Sequence, residues 1–220
     1  MKERKVIMII AGVVTLGIIV NLLLFLPIAW TGSLKFKLIN LANHGFVKFA
    51  IMNGIASFDT RLATDILFEL YDTCKQHDIP VILAEGTALG AVRDGSLISW
   101  DDDVDLMVEA KYREKFMHFV MPSLRNFVIS KAWNKGNFLT LCKSNVAVDI
   151  EFIEEGIPCS CTVSGCVECP VKEILDTQVQ VSLHGVIVNS WGPAFLEKVY
   201  GKSWTIPMHR SNSNARTKGM

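Results

Sequence analysis

Apolar positions fall into one long block and then into short periods. From Val6 to Ala29 the only polar side chains are Thr15 and Asn21, and none is charged. About 20 such residues cross a bilayer as a helix. Lys2, Arg4 and Lys5 precede the block, so the positive-inside tendency puts residues 1–5 in the cytoplasm and the remainder on the luminal side, a bias that Lys35 and Lys37 weaken. A cleaved signal peptide is the alternative. Its apolar stretch is usually about 7 to 15 residues, so the longer block favours a retained signal anchor over 6–29. Residues 30–57 read as a stem, polar at Thr31-Gly32-Ser33 and then apolar at Phe46, Phe49, Ile51 and Ile55.

From residue 58 the periods shorten to those of packed helices and strands. Leu62, Ile66, Leu67, Leu70 and Cys74 recur at three- and four-residue steps after the capping residues Ser57 or Asp59, which predicts a helix. It stops before Pro80, which disfavours helical geometry in the preceding residue. A strand is expected over 81–84, then a glycine-rich segment opening a helix, a turn at Asp94-Gly95, an acidic strand and a helix over 111–121. Further strands are expected over 126–129, 138–143 and 147–153. Beyond them come a short helix over 171–175, a strand over 179–188 interrupted at His184-Gly185, and a helix over 193–200 ended by Gly201. The polar tail, 208–220, reads as disordered. This interleaving predicts an α/β class with a mixed sheet, forming one catalytic domain over 58–207.

Composition narrows the choice of function. The chain has 220 residues, half of them hydrophobic, enough for one sizeable core. Its 22 basic and 22 acidic residues leave no broad positive field, which argues against DNA or RNA as a partner.

The run Trp100-Asp101-Asp102-Asp103-Val104-Asp105-Leu106 carries the candidate chemistry. Alternation along a strand puts Asp101, Asp103 and Asp105 on one face and Val104, Leu106 and Val108 on the other, buried face. Ionising several crowded carboxylates is costly unless a cation compensates, and oxygen donors suit Mg²⁺ or Mn²⁺ rather than zinc. A solvated acidic loop is the bland alternative. Two features count against it. Gly86-Thr87 opens a helix directly after a strand, where backbone N–H groups can meet a phosphate, and Asp149 is a lone acid inside the apolar strand Val148-Asp149-Ile150. Asp103 and Asp105 can then hold metal ions with Asp149 as the third carboxylate, a clamp for in-line displacement at phosphorus. Arg93 can offer a planar guanidinium to a phosphate oxygen, or pair with Asp94 or Asp101. Asp101 is a candidate general base or a supporting group, and Asp102 is harder to place.

A cysteine-dense insertion spans 158–170. Cys159, Cys161, Cys166 and Cys169 have spacings that suit a structural zinc site, or two disulfides in an oxidising lumen. Cys74 and Cys142 read as ordinary buried thiols.

The stretch EGTALGAVRDGSLISWDDDVDLMV, from Glu85 to Val108, resembles the signature of the LicD family, which includes bacterial phosphocholine transferases and the animal fukutin and fukutin-related proteins. Glu85, Gly86, Thr87, Leu89, Gly90, Arg93, Gly95, Trp100, Asp101, Asp103 and Asp105 carry the resemblance. A weaker similarity extends to VDIEFI and FLEKVYGKSW, so it spans 60–207. The resemblance implies a nucleotidyltransferase-like fold that uses Gly86-Thr87, Asp103, Asp105 and Asp149. The implied reaction transfers a phospho-alcohol, of the phosphocholine or ribitol-phosphate type, from a CDP-activated donor to a glycan hydroxyl. It also implies a type II protein of the Golgi or ER membrane with its catalytic domain in the lumen, and a Cys loop that binds zinc. The chain is shorter than the animal proteins, so acceptor recognition is not carried over, and its Cys spacing is its own. The competing readings are transfer of a nucleoside monophosphate at the same metals, and a non-catalytic tethered scaffold retaining the fold.

Overall fold

The structure, a computed structural model, describes residues 58–159 and 169–207. The expected cytoplasmic tail, anchor and stem, the C-terminal tail, and Cys161 and Cys166 of the insertion lie outside the described residues. Among those described, no helix is long and apolar enough to cross a membrane.

The first helix, α1, runs Thr60–Gln76 and begins as its sequence requires, with Asp59 Oδ1 accepting from the Leu62 amide at 3.0 Å. Its apolar stripe of Ile66, Leu67, Leu70 and Cys74 is buried. Burial pushes the Cys74 thiol up to about 12, so it packs as a small apolar group. A two-residue strand, β1 (Ile82–Leu83), leads almost directly into α2 (Glu85–Asp94). Gly95 closes α2 in the left-handed conformation, φ 67°, with its amide donating to Gly90 O.

Strand β2 (Val104–Glu109) is followed by a helix that changes its winding along its length. It is 3₁₀ over Ala110–Tyr112, α over Arg113–Lys115, π over Phe116–Val120 and α over Met121–Ser123. The Met121 amide donates to Phe116 O, and Pro122 has no amide to extend the pattern. The expected continuous helix over 111–121 is therefore present in place but not in regularity. Then come β3 (Val128–Trp133), β4 (Phe138–Lys143) and β5 (Val146–Ile153), followed after the insertion by α3 (Val171–Thr177), β6 (Val179–Leu183), β7 (Val186–Ser190) and α4 (Pro193–Tyr200). His184 and Gly185, both at positive φ (49° and 86°), make the tight turn of a β6–β7 hairpin where one interrupted strand was expected.

Among the described residues, seven strands form one mixed sheet in the order β3-β4-β5-β2-β1-β7-β6. The pairs β2–β5 and β1–β7 are parallel and the rest antiparallel. Val104, Leu106 and Val108 of β2 lie beside Val148, Ile150 and Phe152 of β5, all at most 1% exposed. Phe152 meets Phe116 edge to face at 5.5 Å, and α1 packs on β5 and on the segmented helix, so the helical layer covers this face. The opposite side of β2 and β5 is left to carry polar groups.

Candidate active site

Register places the acidic residues. Asp105 of β2 stands directly opposite Asp149 of β5, and Asp149 in turn is opposite Thr140 of β4. The strand begins only at Val104, so Asp101 and Asp103 precede it and do not share its alternation as the sequence pattern suggested. A turn brings them in instead. The Asp101 amide donates to Ile98 O at 3.1 Å, and Asp101 Oδ1 accepts from the Asp102 amide at 3.1 Å. One oxygen each from Asp101, Asp103 and Asp105 lies within 4.8 Å of the others. Asp149, expected as the third metal carboxylate, stands across the ladder from Asp105 and is not part of that group of three, and Asp102 is buried at 2% exposure.

Helix α2 is fitted against the trio by close contact. The Asp105 amide donates to Thr87 Oγ1 at 2.9 Å, and Thr87 is 2% exposed. Thr87 thus holds the acidic strand against the helix start. A Cβ on Gly86 would stand 2.0 Å from Asp101 Oδ2, and one on Gly90 would stand 2.5 Å from the carbonyl oxygen of Ser96. Gly90 is therefore required by the backbone beside it, whereas at Gly86 the obstacle is the Asp101 side chain, which would have to shift. Gly86→Ala is expected to push the Asp101 carboxylate out of the trio, weakening Mn²⁺ binding at a folding cost of about 1–3 kcal/mol. Calorimetric titration with Mn²⁺ checks this, and an unchanged affinity would separate Asp101 from the cation site.

Arg93 sits in the last turn of α2, at the end away from the acids, with a side chain only 6% exposed. Its guanidinium makes a two-point pair with Asp94, Nε to Oδ1 at 2.9 Å and Nη2 to Oδ2 at 2.6 Å. Of the two readings of Arg93, the ion pair with Asp94 is the contact present.

Two further carboxylates belong to the site. Glu85 joins β1 to α2 at φ 42°, a left-handed conformation that costs a non-glycine residue about 1–3 kcal/mol and here replaces a connecting loop. Glu151, 5% exposed, lies two residues beyond Asp149 and opposite Met107 and Phe138. Both line a shallow recess together with Asp105, Asp149, Met107 and Phe138. The two-residue step from Asp149 was a signal for Glu151 in the sequence. Glu85 opens the stretch that resembles the LicD signature, where it was given no role of its own.

The electrostatics follow from this crowding. Burial, reinforced by the charges of Asp103, Glu85, Asp101 and Asp149, raises the Asp105 carboxyl well above its ordinary value. A set of oxygen-only donors this close, in which each carboxylate opposes ionisation of the next, fits a hard divalent cation such as Mg²⁺ or Mn²⁺. Of the cysteine insertion, Cys159 and Cys169 are described and stand at its two ends, drawn together where the Cys169 amide donates to Ile157 O at 2.9 Å.

The fold is a mixed α/β sheet with paired acids beside a glycine-opened helix, and part of the chain is similar to a known family. Residues 78–153 match the family described as LicD/FKTN/FKRP, nucleotidyltransferase domain, the family that the Glu85–Val108 stretch resembles. No match was found among curated proteins. Similar solved structures include the solution structure of the antibiotic-resistance factor ANT(2″)-Ia, at 14% identity and TM-score 0.48, covering 72% of this chain and 83% of that one. The crystal structure of ANT(2″)-Ia in complex with adenylyl-2″-tobramycin is similar at 14% identity and TM-score 0.42, covering 66% and 79%.

Proposed function

We propose that this chain transfers a phospho-alcohol, of the phosphocholine or ribitol-phosphate type, from a CDP-activated donor to a glycan hydroxyl. In this reading it is a single-pass type II protein of the Golgi or ER membrane that works on the luminal side. The observation that supports the proposal is the convergence of Asp101, Asp103 and Asp105, with Asp149 across the ladder from Asp105, within a LicD-type match. Asp103, Asp105 and Asp149, joined by Asp101, would hold Mg²⁺ or Mn²⁺, which when bound supplies charge neutralisation at phosphorus.

The chain's own residues orient the reactants. The start of α2 at Gly86 and Thr87 is where backbone amides of a helix would meet a phosphate oxygen. The acceptor oxygen attacks the alcohol-bearing phosphorus while the bond to the nucleotide phosphate breaks and its electron pair leaves with CMP. A carboxylate of the cluster would take the hydroxyl proton, Asp101 being the candidate for that role.

Incubating the full chain with CDP-choline and CDP-ribitol in Mn²⁺ tests the proposal, since slow transfer to water releases CMP without an acceptor. Absence of CMP with every CDP-alcohol tried would overturn it. The family description favours one second reading, movement of a nucleoside monophosphate, whose signature is pyrophosphate release from a nucleoside triphosphate, or nucleotide joined to an acceptor.

A further inference from the structure

We infer that Lys131 is a substrate-binding residue that anchors a phosphate of the nucleoside diphosphate donor, a conclusion that rests on the proposed CDP-dependent transfer. The observation behind it is a β-bulge. In the β3–β4 ladder, Ile129 is opposite Leu141 and Lys131 is opposite Thr140, so two residues of β3 advance the pairing by only one residue of β4. Ser130 is the extra residue, and its Oγ donates to Thr140 O at 3.2 Å, fastening the irregularity. In an unbroken strand Ile129 and Lys131 would share a face. Here they lie on opposite faces, because Thr140 and Leu141 are successive residues of β4.

The consequence is an unbroken transverse row across four strands, Lys131, Thr140, Asp149 and Asp105. Lys131 is exposed, Thr140 is 9% exposed, and the row runs into the acidic trio. At about 4.8 Å per strand, Lys131 is about 14 Å from Asp105 along the backbone. Its four-carbon stem can carry the ammonium back over Thr140 toward Asp149.

Charge then fixes which group it serves. On the β1 side of Asp105 the row ends at Ala84, whose amide donates to Asp105 O at 3.0 Å, and the next residue is the carboxylate Glu85. That side is acidic, the side for cations. A donor with two linked phosphates, one of them over the acids, needs positive charge for the other, and along this row Lys131 supplies it. Bulges often re-aim a side chain beside an active site, and this one turns a lysine onto the acidic face.

The full chain with Lys131→Ala, Lys131→Arg and Lys131→Glu tests the assignment. Three quantities are read: affinity for CDP at saturating Mn²⁺, KM for a CDP-alcohol in the acceptor-free hydrolysis assay, and affinity for Mn²⁺ alone. The alanine variant is expected to lose about tenfold or more in CDP affinity and to raise KM by the same factor. Arginine should retain most of the binding and glutamate should fall below alanine, an order set by charge that loss of packing would not produce. Mn²⁺ affinity should stay unchanged, since Lys131 does not hold the cation. If the wild type hydrolyses the CDP-alcohol while all three variants match it in CDP affinity and KM, the assignment of Lys131 is overturned and the proposed activity stands. If the variants lose Mn²⁺ affinity in parallel with CDP, Lys131 acts on the acidic centre and the inference is likewise overturned. If the wild type neither binds CDP nor releases CMP, the proposed activity fails and this inference fails with it.

Discussion

Asp105→Asn should lower turnover by about 10³-fold or more and at the same time raise the melting temperature of the metal-free protein. The two effects have one cause. Asp105 is half-buried, and desolvation together with the charges of Asp103, Glu85, Asp101 and Asp149 opposes its ionisation, so its carboxylate is a source of repulsion in the absence of a cation. An amide of the same shape removes that repulsion and keeps the 2.9 Å contact between its own backbone amide and Thr87, which does not involve the side chain. The same amide is a poor ligand for a hard cation. Losing several kcal/mol of charge stabilisation at phosphorus corresponds to about three decades in rate. CMP release and thermal melting in EDTA, measured on the same preparation, check both halves. Turnover within tenfold of wild type would remove Asp105 from the cation site, and a lowered melting temperature would mean that the carboxylate stabilises the fold directly.

The second large effect is a metal stabilisation that grows with pH. Because the Asp105 carboxyl is raised above the ordinary 3.8, the folded protein keeps a proton that the unfolded chain has released. Its contribution to stability is complete below 3.8 and is lost as pH rises through the elevated folded value. The metal-free protein should therefore weaken as pH climbs from the ordinary carboxylate range toward neutrality. A divalent cation binds the deprotonated cluster and reverses the loss, by about 2.7 kcal/mol when Mn²⁺ is present at a hundred times its dissociation constant. Melting curves across a pH series, in Mn²⁺ and in EDTA, should diverge upward with pH. Parallel curves would show that no cation binds the raised carboxyl. In Asp105→Asn the divergence should shrink, which ties the effect to that one group.

Much of the architecture is legible in local pattern. The stripe Ile66, Leu67, Leu70 and Cys74, capped by Asp59, is α1 because a helix of 3.6 residues per turn brings those positions to one side. The limits of β4 and α4 agree with the expected 138–143 and 193–200, each bounded by residues that favour turns or end helices. Less was legible where neighbours in space decide. The strand expected over 126–129 is observed as Val128–Trp133, because β4 sets which residues of β3 pair and where the bulge falls. The Asp101–Asp105 spacing suggested one strand face, and the trio does meet, yet a turn held by Ile98 O does the work that alternation was expected to do. Arg93 read as a phosphate ligand from its place in the motif. Its partner is the adjacent Asp94, and α2 carries it to the end away from the acids.

The amino-acid order alone determined the element types, the mixed α/β class, the acidic centre and its LicD resemblance, because period, capping and short-range spacing are properties of neighbouring residues. Tertiary structure decided which acids share one volume. The parallel pairing of β2 with β5 sets Asp105 beside Asp149, 44 residues away in the chain (149 − 105), and the β4 register carries Lys131 onto the same row. Such pairings depend on which strands bury their apolar sides together under α1 and the segmented helix, a choice made by the whole core rather than by any stretch of it.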